Sequence, residues 1–134
     1  MTKRKKQLRK GLKKTLARVV EFKRTIANYD RRLPPVLSTP SMIGQMEVTA
    51  ALLLQLFLPR GAISVGTHIN VAHRAAARTG ERLTTTAVFK RMRNEPGKRP
   101  RYVFAVDARV GKRLVGDGWV ERAVINHPGA ARQR

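Results

Sequence analysis

The sequence predicts an α+β domain in which an antiparallel sheet wraps one long apolar helix. Three observations predict it. A segment of about twenty residues, opening at Thr39-Pro40 and stopped by Pro59 and Gly61, carries apolar residues on every side. Four stretches of alternating or β-branched character follow it, and one precedes it. A helix that is apolar all round needs covering, and an antiparallel sheet curling around it supplies the cover.

Each element has its own signal. Leu16, Val20, Phe22 and Ile26 suggest a first strand over Leu16–Ile26, followed by a loop over Asn28–Pro35. Thr39 is placed to cap the helix, and Pro40 suits its first position, where the missing N–H would be unpaired anyway. The apolar run is too short for a membrane span, and Glu47 and Gln55 interrupt it. Ile63, Val65, Ile69 and Val71 alternate with Ser64, Gly66, His68 and Asn70, the pattern of a half-buried strand. Residues 74–81 connect it to a β-rich stretch, Leu83–Met92. The basic run Lys90–Arg101 centres on Pro96-Gly97 and reads as a hairpin tip. Tyr102, Phe104, Val106, Ala108 and Val110 alternate, Gly111-Lys112 makes a tight turn, and Leu114–Ile125 forms the last strand. Gly116 and Gly118 inside that strand mark a close approach, with the helix as the expected neighbour. This order of elements is the hotdog arrangement.

The 134 residues carry 29 Lys and Arg against 8 Asp and Glu, a net charge of +21. Residues 1–14 are expected to be a disordered basic arm, 15–126 the domain and 127–134 a tail. Charge of this size attracts polyanions, so nonspecific contact of the arm with nucleic acid or an anionic surface is expected. Phe, Tyr and Trp total seven, and none lies in the arm, which argues against a dedicated single-strand reader. There are no cysteines, which excludes disulfides and thiolate chemistry and fits a reducing, cytoplasmic setting. No secretory signal or transmembrane segment is expected. No zinc-finger spacing occurs, and neither a metal nor a cofactor is expected.

Glu47 is the residue that points to chemistry. It is the only acid between Asp30 and Glu81, and it sits inside the apolar helix. Burying a carboxylate costs several kcal/mol unless it is paired, roughly. An apolar setting also suits a carboxyl to proton transfer near neutral pH. Counting in twos from Ile63 through Val65, Thr67, Ile69 and Val71 puts His73 on the face towards the helix, unless a bulge intervenes, and His68 on the other. A helix acid and a strand histidine can then share one site. Read alone, His73 fits a satisfied strand-end histidine, Glu47 an acid bonded to a neighbouring strand, and Thr39 a plain N-cap.

The run from Leu33 to Glu47 (LPPVLSTPSMIGQME) and the strand Ser64–His73 (SVGTHINVAH) resemble the fluoroacetyl-CoA thioesterase-like group of hotdog proteins. The resemblance covers about Thr15 to Ile125. It rests on a Thr-Pro at the helix start, a Glu eight residues on, and an S-V-G-T-H strand ending in a second His. It implies an acyl-CoA thioesterase working as a homodimer, with Thr39, Glu47 and His73 as the catalytic set and Gly66 close to the thioester. Thr39 or the helix N-terminal amides would polarise the thioester carbonyl. Glu47 would act as base towards water or attack directly, and His73 would move the proton. Arg74, Lys90 and Arg91 are candidates for holding the phosphates of CoA. The alternatives are a non-catalytic hotdog module that binds acyl-CoA or acyl carrier protein, and a basic nucleic-acid-binding protein.

Overall fold

The computed structural model describes residues 7–127 and 129. The elements are β1 (Lys13–Val19), two short 3-10 turns (Phe22–Arg24 and Ile26–Asn28), α1 (Thr39–Gln55), β2 (Ala62–His73), β3 (Arg82–Arg93), β4 (Arg101–Val110) and β5 (Arg113–Asn126). The strands make one antiparallel sheet in the order β1-β3-β4-β5-β2. Helix α1 lies in the concave side of this sheet, which is the hotdog fold. Met42, Met46, Ala50, Leu53 and Leu54 on the helix pack against Phe104, Val106, Val115 and Val120 from the sheet, all buried. Each large side chain taken from water there stabilises the fold by about 1.5–3 kcal/mol. Polar side chains enter this layer as well, among them Gln45, Thr49 and Thr85. The Nε2 of Gln45 donates to Leu16 O, Leu83 O and Thr85 Oγ1, so it ties the helix to β1 and β3.

The first strand is shorter and earlier than the alternation of Leu16 to Ile26 suggests. Pairing with β3 runs from Lys13 to Val19, and the chain then turns, with Thr25 Oγ1 donating to Phe22 O at 2.7 Å. Order reaches back into the expected arm. Gly11, at φ +93°, donates to Phe89 O, and Leu8 and Leu12 pack against the core. Residues 1–6 of that arm lie outside the described residues, as does most of the C-terminal tail.

The helix cap is Ser38, not Thr39. The Ser38 hydroxyl accepts from the backbone N–H of Ser41 at 3.2 Å, and Pro40 sits in the first turn as expected. Thr39 is the first helical residue, and its side chain is thereby released for other use. The helix stops at Gln55.

Gly116 meets the helix, since a Cβ there would fall 2.5 Å from Met42 Sδ. Gly118 instead meets the neighbouring strand, with a Cβ at 2.1 Å from Asn70 O.

Two adjoining surfaces are among those left exposed. Val48, Leu52 and Leu56 form a stripe along the helix, and Leu56 is 59% exposed. Beside it, β2 is the sheet edge, with Val65 to Asn70 all exposed. No described helix is long and apolar enough to cross a membrane.

Candidate active site

Strand β2 contains a bulge. Gly66 pairs with Arg122 and His68 with Glu121, so Thr67 is an extra residue. Side chains alternate along a strand, so an extra residue changes the parity. Ile63 and Val65 therefore lie on the outer face, whereas Ser64 and Gly66 face the helix. Beyond the bulge the odd positions turn inward. His73 pairs with Gly116 and faces the helix, as parity suggested, although the starting point of that count was on the wrong face. His68 faces outward, as expected.

Two clusters result. At the helix start, Thr39 Oγ1 and His73 Nδ1 are 2.7 Å apart, across 34 residues of sequence. With the hydroxyl donating, His73 Nε2 carries the ring proton; with the ring donating, Nε2 presents a lone pair. Two turns further on, Glu47 packs against Gly66. A Cβ at Gly66 would fall 2.8 Å from Glu47 Oε1, so only glycine leaves room for this carboxylate. Glu47 is less enclosed than its apolar neighbours in sequence suggest, because its side chain keeps 26% exposure.

Arg122 completes the second cluster, and the sequence reading missed it. Its Nη1 lies 3.8 Å from Glu47 Oε2, its Nε donates to Ser64 Oγ at 2.8 Å, and its Nη2 donates to Ser64 O at 3.0 Å. The residue is 7% exposed. Burial pulls the guanidinium pKa below its usual value, and the nearby Glu47 pulls it back up. The signal was weak, since Arg122 directly follows Glu121 and the two read together as an ordinary charged pair in the strand.

Among the described residues, four buried side-chain polar atoms have no hydrogen-bond partner, and two of them are Glu47 Oε1 and His73 Nε2. Each such atom costs about 1–3 kcal/mol, and native proteins keep few of them. Both point to atoms that act on something else. The two clusters do not touch. Thr39 and Glu47 are eight residues apart along the helix, roughly 12 Å at about 1.5 Å per residue. On β5 the matching partners, Gly116 and Arg122, are six residues apart, roughly 20 Å at about 3.3 Å per residue.

The remaining candidates lie elsewhere. Arg74 is engaged with Asp117, Nε to Oδ1 at 2.7 Å. Lys90 and Arg91 line a hollow with Val103, Ala105 and Trp119 on the outer face of the sheet, away from the helix.

Residues 20–128 match the family of fluoroacetyl-CoA-specific thioesterases, FlK. The fluoroacetyl-CoA thioesterase of Streptantibioticus cattleyicolor is 37% identical over 93 residues, which are 69% of this chain and 63%, under two thirds, of that protein. Among solved structures, a point variant of the fluoroacetyl-CoA-specific thioesterase in complex with fluoroacetate and CoA superposes with a TM-score of 0.77 at 30% identity, covering 89% of this chain and 96% of that one. A thioesterase superfamily member from Thermus thermophilus shares the fold at a TM-score of 0.79 and 21% identity, covering 95% of this chain and 90% of that one.

Proposed function

From the fluoroacetyl-CoA-specific thioesterase family, to which this chain belongs, we propose that it hydrolyses acyl-CoA thioesters. The observation that carries the reading is the pair of unpartnered buried atoms, Glu47 Oε1 and His73 Nε2, on the two residues able to move protons. In the reaction, water adds to the thioester carbonyl carbon, the carbon–sulfur bond breaks, and the products are a carboxylic acid and the CoA thiol. Glu47 takes the proton from water, and Arg122 steadies the carboxylate from behind. His73 Nε2 gives a proton to the departing sulfur, oriented through Nδ1 by Thr39. The Thr39 N–H and the positive end of the α1 dipole polarise the carbonyl oxygen.

These roles need both clusters at one substrate, and the fold suggests how. The β2 edge and the stripe Val48, Leu52 and Leu56 form an uncovered apolar margin, which a second copy would cover. Twofold pairing of two β2 edges runs them antiparallel. It brings the Glu47 end of one copy towards the His73 end of the other. We assign the site to a homodimer, with Glu47, Gly66 and Arg122 from one protomer and Thr39 and His73 from its partner.

The test is thiol release from a panel of acyl-CoA thioesters. Wild-type turnover, lost in Glu47→Gln and in His73→Ala, supports the reading. Full activity in both variants removes the site assignment, and tight binding without hydrolysis across the panel removes the enzyme.

A further inference from the structure

We propose that the outer face of the sheet binds single-stranded nucleic acid along a track centred on Trp119. This is separate from the hydrolytic site, which lies on the helix side of the same sheet. Trp119 is the only tryptophan in the chain and is 45% exposed. Its neighbours across the strands are Ala105 and Asn70, and Gly118 precedes it, so no bulky side chain covers the ring. The indole stands between two hollows, of about 530 and 290 Å³, that share Ala105, Gly118 and Trp119 in their walls. A ring placed so can take a planar base against either face.

Charge sets the direction of the track. In the larger hollow, Arg74 is paired with Asp117 at 2.7 Å and Arg109 with Asp107 at 3.5 Å, so its cations are compensated. In the smaller hollow, Lys90 and Arg91 make no ion pair among the described residues, and no acid lines it. The basic N-terminal residues join the fold at this end. Gly11 donates to Phe89 O at 2.9 Å and Phe89 donates to Leu12 O at 2.8 Å, immediately before Lys90. Residues 1–14 hold eight Lys and Arg and no acid. Of these, Arg9, Lys10, Lys13 and Lys14 lie among the described residues, next to the backbone that pairs with Phe89, so the uncompensated charge of the sheet face runs on into that part of the chain.

This combination selects the occupant. A sulfated or phosphate polymer offers charge but no ring to stack, and an acyl chain offers neither. A single strand offers both at a regular spacing. With one stacking ring and no array of side chains aimed at base edges, binding is tolerant of sequence.

The sole tryptophan makes the experiment direct. The full-length protein is titrated with an oligothymidylate at low salt while its intrinsic emission is followed. Binding quenches Trp119, and affinity falls steeply with added salt. Trp119→Leu weakens binding about 5- to 140-fold, the range for one stacked base, while acyl-CoA hydrolysis and the melting temperature are retained. Lys90→Ala with Arg91→Ala lowers the slope of log affinity against log salt by about 1.4. Binding with no change in emission, or unchanged affinity in Trp119→Leu, overturns the proposal. So does an equal quench by adenosine 3′,5′-bisphosphate at the same concentration, which makes the face a mononucleotide seat. A drop in oligomer mass in Trp119→Leu also overturns it, because the face is then a contact between copies.

Discussion

Two inactive proteins should make an active one. Glu47→Gln and His73→Ala each lose about 10²- to 10⁴-fold in turnover, the usual cost of a missing acid or base. The structure sets what happens when they are mixed. Within one protomer the Glu47 and His73 clusters are separated by roughly 12 Å of helix, whereas proton transfer needs about 3 Å or one intervening water. If each site draws Glu47 from one subunit and His73 from the other, a mixed dimer has one intact site and one doubly broken site. Random reassociation of equal amounts makes half the dimers mixed, so activity recovers to about one quarter of wild type. The assay is thiol release after the two variants are unfolded together and refolded, with native mass spectrometry to count mixed dimers. Mixed dimers with no activity above the parental sum would show that each subunit carries its own complete site, and the shared-site argument would fail.

Gly66→Ala should cost activity far more than stability, because the new Cβ falls 2.8 Å from Glu47 Oε1 and the flexible carboxylate can swing away; kcat and the melting curve, measured together, separate the two. Gln45→Leu should destabilise by about 1–3 kcal/mol, since it strips partners from Leu16 O, Leu83 O and Thr85 in the core; chemical denaturation reads it. Leu56→Asp places a charge in the uncovered helix stripe and should shift the protein towards monomer, seen by light scattering, with parallel loss of turnover. The Glu81 carboxyl is held below its usual range, first by the Arg113 guanidinium and then by the Arg78 N–H. Its stabilisation is therefore present above about pH 4.3, the value expected in the unfolded chain, and fades as pH falls through the lower folded value. The melting temperatures of wild type and Glu81→Gln should differ at pH 6 and converge near pH 3.

Much of this was legible in the residues. The helix announced itself through Pro40, Pro59 and Gly61, and β2 to β5 through alternation and turn glycines. The first strand was not legible, because Leu16, Val20, Phe22 and Ile26 fit a strand, a helix and a pair of tight turns about equally. What decided it was pairing with β3, a tertiary fact. Thr39 was misread as the cap because Ser38, Thr39 and Ser41 all suit that role, and only the backbone angles distinguish them. Strict alternation puts Gly66 and His73 on opposite faces; the bulge at Thr67, which only pairing with β5 reveals, turns both inward, and alternation says nothing of the distance between them. Arg122 escaped notice because a cation in an edge-adjacent strand normally reaches solvent, whereas here Ser64 and Glu47 hold it inside.

The extra residue at Thr67 has a consequence beyond the site. A bare sheet edge is a template on which any extended segment can lay itself down, and a twelve-residue strand open along one side would recruit strands readily. An interruption in the middle divides that template into two short runs with a local kink. A flat foreign strand can match one run but not both. A twofold mate carrying the same kink meets the irregularity with its own, so the edge favours self-recognition over fibrous growth.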